Sequence, residues 1–161
     1  MNTVVDIVFE LIRKYPHKEY CSRARIQRLV FLADWWMLLH RQRRLIDLNW
    51  VFDNRRGPVN VELVATIERA TSIFAYQDEI NIETGRVRRL FRIVNEKYTP
   101  NLDADAVDAI DTVVSVTQEM PWVEFNSFVH STYPLMNGQR NSVLDMKNLV
   151  EAYKVYVESI K

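Results

Sequence analysis

Residues 29–39 read LVFLADWWMLL, an eleven-residue run in which Asp34 alone is not apolar. A helix that is apolar on every side is buried on every side, so this run predicts the central helix of the fold. It is shorter than the roughly 18 residues a membrane span needs, and Arg28 and His40 flank it closely. The residues three and four positions from Asp34 are Val30, Phe31, Met37 and Leu38, so its own helix offers it no cation. A buried carboxylate without a partner costs several kcal/mol or stays protonated. Asp34 therefore demands a partner from elsewhere in the chain. The first candidates are Arg55 and Arg56, with Arg56 preferred because it abuts the Gly-Pro turn. A catalytic role for Asp34 has no His or second carboxylate at a recognisable spacing to support it.

Around that helix the pattern predicts a mainly α fold with minor β structure. One domain over residues 1–161 is the expectation for a chain of this length. Asn2 or Thr3 caps a first helix running to about Lys14, and Ser22 caps the central one. Residues 45–53, LIDLNWVFD, alternate apolar and polar as a half-buried strand does. After NRRGPVN, Asn60 caps a helix with Leu63, Ile67, Ala70 and Phe74 along one stripe. Residues 78–95 read as a hairpin with Ile80 and Ile82 alternating, Thr84-Gly85 at the turn and a return strand over 86–94. Asp103 caps a helix to about Glu119, with Asp105, Asp108 and Asp111 on its outer face. A short helix follows Pro121, and Asn141 or Ser142 caps the closing helix.

Catalytic signatures are absent from the sequence. Three scattered histidines and the single Cys21 give no pair with metal-ligand spacing, and three glycines cannot build a phosphate loop. A helix dipole can activate a thiol at Cys21, although a small packed residue is the simpler reading. The expectation is therefore no catalytic residue, no metal and no cofactor. With no apolar leader pattern and no membrane-length run, a cytoplasmic protein is expected.

The zero net charge conceals a split. Residues 1–99 hold 17 basic and 12 acidic residues, a net +5, while residues 100–161 hold 4 and 9, a net −5. Either a basic face awaits an acidic partner, or the two halves attract each other; the second is preferred for one domain. The arginine clusters SRARIQR, HRQRRL, NRRG and GRVRRLFR leave a winged-helix-like nucleic-acid binder as the alternative function. A pI near 6.8 argues against it.

Four segments together resemble the Panacea domain, also called SocA-like, of bacterial and phage antitoxins. In SRARIQRLVFLADWW, the residues Ile26, Gln27, Arg28, Leu29, Phe31, Leu32 and Ala33 match the signature helix position by position. The extended RLIDLNWVF follows at the family's spacing, and Gly57, Pro58 and Val59 match its Gly-Pro-Val before a helix. Phe125, Phe128, Val129, His130 and Pro134 match its late His-Pro run. The chain departs from the family at Asn54 and Arg56, where aromatics usually precede Gly-Pro-Val, and at Leu135. The resemblance implies a non-enzymatic antitoxin that binds a toxin encoded next door, either sequestering it or delivering it to a protease. Self-association stays open, and Arg43, Arg44, Arg55 and Arg88 are the candidate partner contacts.

Overall fold

Local hydrogen bonding starts the first four helices where the sequence places their caps. The computed structural model describes residues 2–80, 82 and 84–161. Helix α1 spans Val4–Lys14 behind Thr3, whose hydroxyl accepts from the Asp6 N–H. Helix α2 spans Arg23–Arg41 behind Ser22, which accepts from the Arg25 N–H. Strands β1 (Val51–Asp53) and β2 (Gly57–Val59) lead into α3 (Val61–Arg69), capped by Asn60 through the Leu63 N–H. Strands β3 (Phe74–Ile80) and β4 (Val87–Ile93) precede α4 (Ala104–Thr117), capped by Asp103. Helices α5 (Trp122–His130), α6 (Tyr133–Asn137) and α7 (Met146–Ser159) complete the chain. The fold is mainly helical with two small antiparallel hairpins.

Helix α2 lies at the centre, as its composition requires. Thirteen of its residues are buried, and it packs against α1, α3, α4, α7, β2 and β4. Ile26, Leu29, Phe31, Ala33 and Met37 are essentially inaccessible and share one core with Ile7, Phe9, Trp50, Ile110 and Phe125. The Phe31 and Trp50 rings meet edge to face at 5.6 Å. By contrast α1 is amphipathic, with its apolar stripe turned to this core and Arg13 and Lys14 in its last turn.

Several boundaries differ from the sequence expectation. The strand expected over 45–53 is only Val51–Asp53, because residues 44–50 instead wrap around the Asp34 carboxylate. The alternation survives as burial: Trp50 and Phe52 are inside, Asp47 and Asn49 outside. Helix α3 stops at Arg69, and Phe74 opens β3 rather than extending the helical stripe. The closing helix begins later than expected, with Asp145 accepting from the Asn148 N–H. Residues 141–144 are used otherwise: the Phe52 N–H donates to the Ser142 carbonyl at 3.0 Å and the Leu144 N–H to the Trp50 carbonyl at 2.8 Å. These bonds lay the segment along the free edge of β1. The short α6 has no sequence counterpart among the expectations. In the β3–β4 hairpin, Phe74 pairs with Ile93 and Ile80 with Val87. Gly85 takes the positive φ of 71° that the expected turn needs, while residues 81 and 83 of that turn lie outside the described residues.

The charge split joins elements within the molecule. Arg41 bonds Asp105 at 2.9 Å and Asp108 at 3.3 Å, Arg43 bonds Asp103 and Asp105, Lys14 pairs with Asp111, and His17 with Glu119 at 2.9 Å. The acidic face of α4 thus holds the basic ends of α1 and α2. Among the described residues no helix is long and apolar enough to cross a membrane.

Candidate functional site

The buried Asp34 takes its partner from a different arginine than the one expected. The Arg44 Nη2 donates to its Oδ2 at 2.6 Å, and the Arg44 Nε reaches both carboxylate oxygens at 3.0 Å. The Leu45 N–H and the Trp50 Nε1–H complete the shell at 2.9 and 3.0 Å. Gln42, at the end of α2, has a φ of 56°, and this left-handed step folds the chain back so that Arg44 returns over Asp34. Arg56 does not take part: its side chain is 70% exposed and bonds Asp53 at 3.3 Å.

The other candidate contacts divide sharply. Arg44 is committed to Asp34, and Arg43 to α4. Arg88 pairs across the hairpin with Glu79 at 3.1 Å. Arg89 bonds Asp78 and Glu68, and its guanidinium holds the Asp78 carboxyl below the usual carboxylate range. Arg55 is exposed; the Arg56 N–H and then the Arg55 N–H donate to the Asp53 carboxylate, and with the Arg56 guanidinium these groups depress the Asp53 pKa. The β1–β2 turn therefore presents Arg55 and Arg56 outward. Arg140 joins them, donating to Asn54 Oδ1 at 2.9 Å with its guanidinium 5.7 Å from the Phe52 ring centre.

Beneath this turn sit several residues of the family-like motif. Gln27 Oε1 accepts from the Asn60 N–H at 2.9 Å, fastening α2 to the entry of α3. Leu29, Phe31 and Ala33 are core residues, and Pro134 is buried in the first turn of α6. Gly57 has a φ of 73°, and a Cβ there would lie 3.3 Å from the His130 ring and 3.5 Å from Arg28 Nη2. Glycine at 57 therefore serves both backbone conformation and close approach. Pro58 is buried and pairs with Phe52, and Val59 pairs with Val51. His130 Nδ1 lies 2.9 Å from the Asn126 carbonyl, and its ring faces Phe52 at 6.4 Å.

Arg28 is the residue that sequence reasoning missed as a site. It is 4% exposed. Nη1 donates to the Ala24 carbonyl at 3.0 Å and Nη2 to the Arg56 carbonyl, but Nε is buried without a partner, as is Asn126 Oδ1. The guanidinium lies 4.9 Å from the Trp122 ring centre. No carboxylate pairs with it among the described residues, and burial lowers its pKa to about 10. Arg25, one turn earlier, makes the contrast clear. It bonds the Tyr15 hydroxyl and the Thr117 and Met120 carbonyls, and it packs on Tyr15, Tyr20 and Phe125. The signal for both was available: the rule applied to Asp34, that a charge in a buried helix needs a partner, applies equally to them.

A separate apolar groove of about 320 Å³ lies between α2, α4 and the last helices, lined by Trp35, Trp36, Leu39, Val116, Tyr133 and Tyr153. Among the described residues no Asp, Glu, His, Cys, Lys or Arg lines it. Among the described residues no group of three His, Cys, Asp or Glu side chains is placed to hold a metal ion. No family model, curated protein or solved structure matches the chain.

Proposed function

We propose that this chain is an antitoxin-like protein that neutralises a cognate toxin by direct protein–protein binding, through the surface around the β1–β2 turn and the start of α5. The motif resemblance supplies the antitoxin part of this reading. The observation that carries the surface is Arg28, buried and without a carboxylate, at the base of a turn whose outer side bears Arg55, Arg56 and Arg140. Trp122 and Val123, 42% and 78% exposed, add apolar area at the start of α5. A basic rim beside an exposed aromatic is the composition of a protein-binding patch, and it selects an acidic partner surface. Delivery of the bound toxin to a protease would use the same contact.

The nucleic-acid alternative has less to rest on. Of the seven arginines in the 41–44 segment and the 80–94 hairpin that would contact DNA, Arg41, Arg43, Arg44, Arg88 and Arg89 are paired with acids of the same chain, which leaves Arg86 and Arg92 exposed. A backbone-tracking stripe needs unpaired cations. Co-expression with the product of the neighbouring gene tests the antitoxin reading. Rescue of growth and co-purification are expected, both diminished by the triple change Arg55→Glu, Arg56→Glu and Arg140→Glu. A neighbour that is not toxic, or a pair that does not co-purify, refutes it.

A further inference from the structure

We infer that Arg28 is the anchor for a single carboxylate, an Asp or Glu side chain that the bound partner inserts beside the β1–β2 turn. The inference rests on the docking reading above and names the chemistry at its centre. Arg25 and Arg28 are both buried on α2, yet Arg25, which bonds two carbonyls and a hydroxyl and packs on three rings, has no buried donor left without a partner. Arg28 makes two bonds to carbonyls and leaves Nε with none. A buried cation left in this state is costly on its own and becomes favourable when an anion arrives.

The surroundings suit that arrival. The ring over the guanidinium belongs to Trp122, the first residue of α5, and at 42% exposure it is a cover that solvent reaches. The N-cap of this nine-residue helix is Pro121, which offers no side-chain acceptor to the first-turn N–H groups. The partial positive charge of that helix start adds to the guanidinium, although Glu124 in the same turn offsets some of it. A carboxylate fits better than a phosphate monoester. One buried guanidinium is matched by one negative charge, and its planar fork pairs with a planar carboxylate. Arg55, Arg56 and Arg140 at the rim would steer the acidic segment inward.

The test uses the full chain labelled with ¹⁵N-arginine and follows the Arg28 Nε–Hε resonance at fixed ionic strength. The probes are an acetylated tetraglutamate amide, its glutamine counterpart and an eight-residue oligothymidylate. The expected result is a saturable shift of the Arg28 resonance with the glutamate peptide and none with the glutamine peptide. Arg28→Lys should bind the glutamate peptide at least about tenfold more weakly, as loss of a charge-assisted bond predicts. Should Arg28→Lys fail to fold, through-bond assignment of the wild-type resonance still gives the answer. Shifts confined to Arg55, Arg56 and Arg140 overturn the anchor, as does tighter engagement of Arg28 by the oligothymidylate. Co-purification of the neighbour's product with wild type and Arg28→Lys alike also overturns the anchor and leaves the docking reading standing. A saturable Arg28 shift without any co-purifying partner supports the anchor and removes the antitoxin reading.

Discussion

Replacing Asp34 with Asn is the sharpest test of how this fold is held together. The change keeps the volume and removes the charge from a site with no solvent access. Four donor groups now aim at the carboxylate: Arg44 Nε and Nη2, the Leu45 N–H and Trp50 Nε1. An amide presents one acceptor oxygen and two N–H donors, so it satisfies at most part of this set and turns an N–H toward another N–H. Breaking a buried ion pair by neutralising one member costs about 3–5 kcal/mol. An unsatisfied Trp50 indole falls within the same order, about 1–3 kcal/mol, and the two are not additive. We expect a loss of about 4 kcal/mol, which for a chain of this size lowers Tm by roughly 8–16 °C. Urea unfolding followed by circular dichroism measures it, with Arg44→Met and the double variant completing a thermodynamic cycle. The coupling should exceed about 1.5 kcal/mol, since each partner is costly chiefly when the other remains. A loss below about 1 kcal/mol, or an Arg56→Ala variant as damaging as Arg44→Met, would refute the reasoning.

Gly57→Ala should cost about 1–3 kcal/mol, because the left-handed backbone is strained for alanine and the new Cβ presses on the His130 ring. Gly85→Ala shares the positive φ but meets open space, so paired denaturation curves should rank it as the milder change. Acid should loosen the α4 face: hydrogen bonds from Arg41 and then Arg43 hold the Asp105 carboxyl below the usual range. A depressed carboxyl contributes stability that is present above its unfolded value near 3.9 and is lost as pH falls through the folded value. Tm measured from about pH 5 to pH 2.5 should drop below pH 4, more gently in Arg41→Ala/Arg43→Ala than in wild type. Cys21 is buried, and its thiol is pushed up to about 11, chiefly by that burial. It should stay silent to Ellman's reagent at pH 8 until the protein unfolds, and rapid labelling of the native chain would contradict its placement.

What the sequence determined by itself is what depends on neighbours within a turn of helix. Thr3, Ser22, Asn60 and Asp103 cap where expected because a cap is one side chain meeting an N–H two or three residues on. The central place of α2 follows from its composition alone, since no partly exposed position can hold a helix apolar all round. The demand that Asp34 be paired was legible for the same reason, but the identity of its partner was not. That choice turned on the left-handed step at Gln42, a backbone event with no glycine to announce it. Strand length, the late start of α7 and the partners of the arginines were decided by contacts beyond the local helical turn, from Arg44 with Asp34 through Arg28 with Arg56 to Arg25 with Thr117. Periodicity reports which face of an element is buried and says nothing of what covers it. Only the tertiary structure separated Arg25, whose buried donors the fold supplies with acceptors, from Arg28, whose buried Nε–H has none beneath the turn. The physical reason is that solvation is local to the residue, whereas compensation for its loss comes from wherever the chain returns.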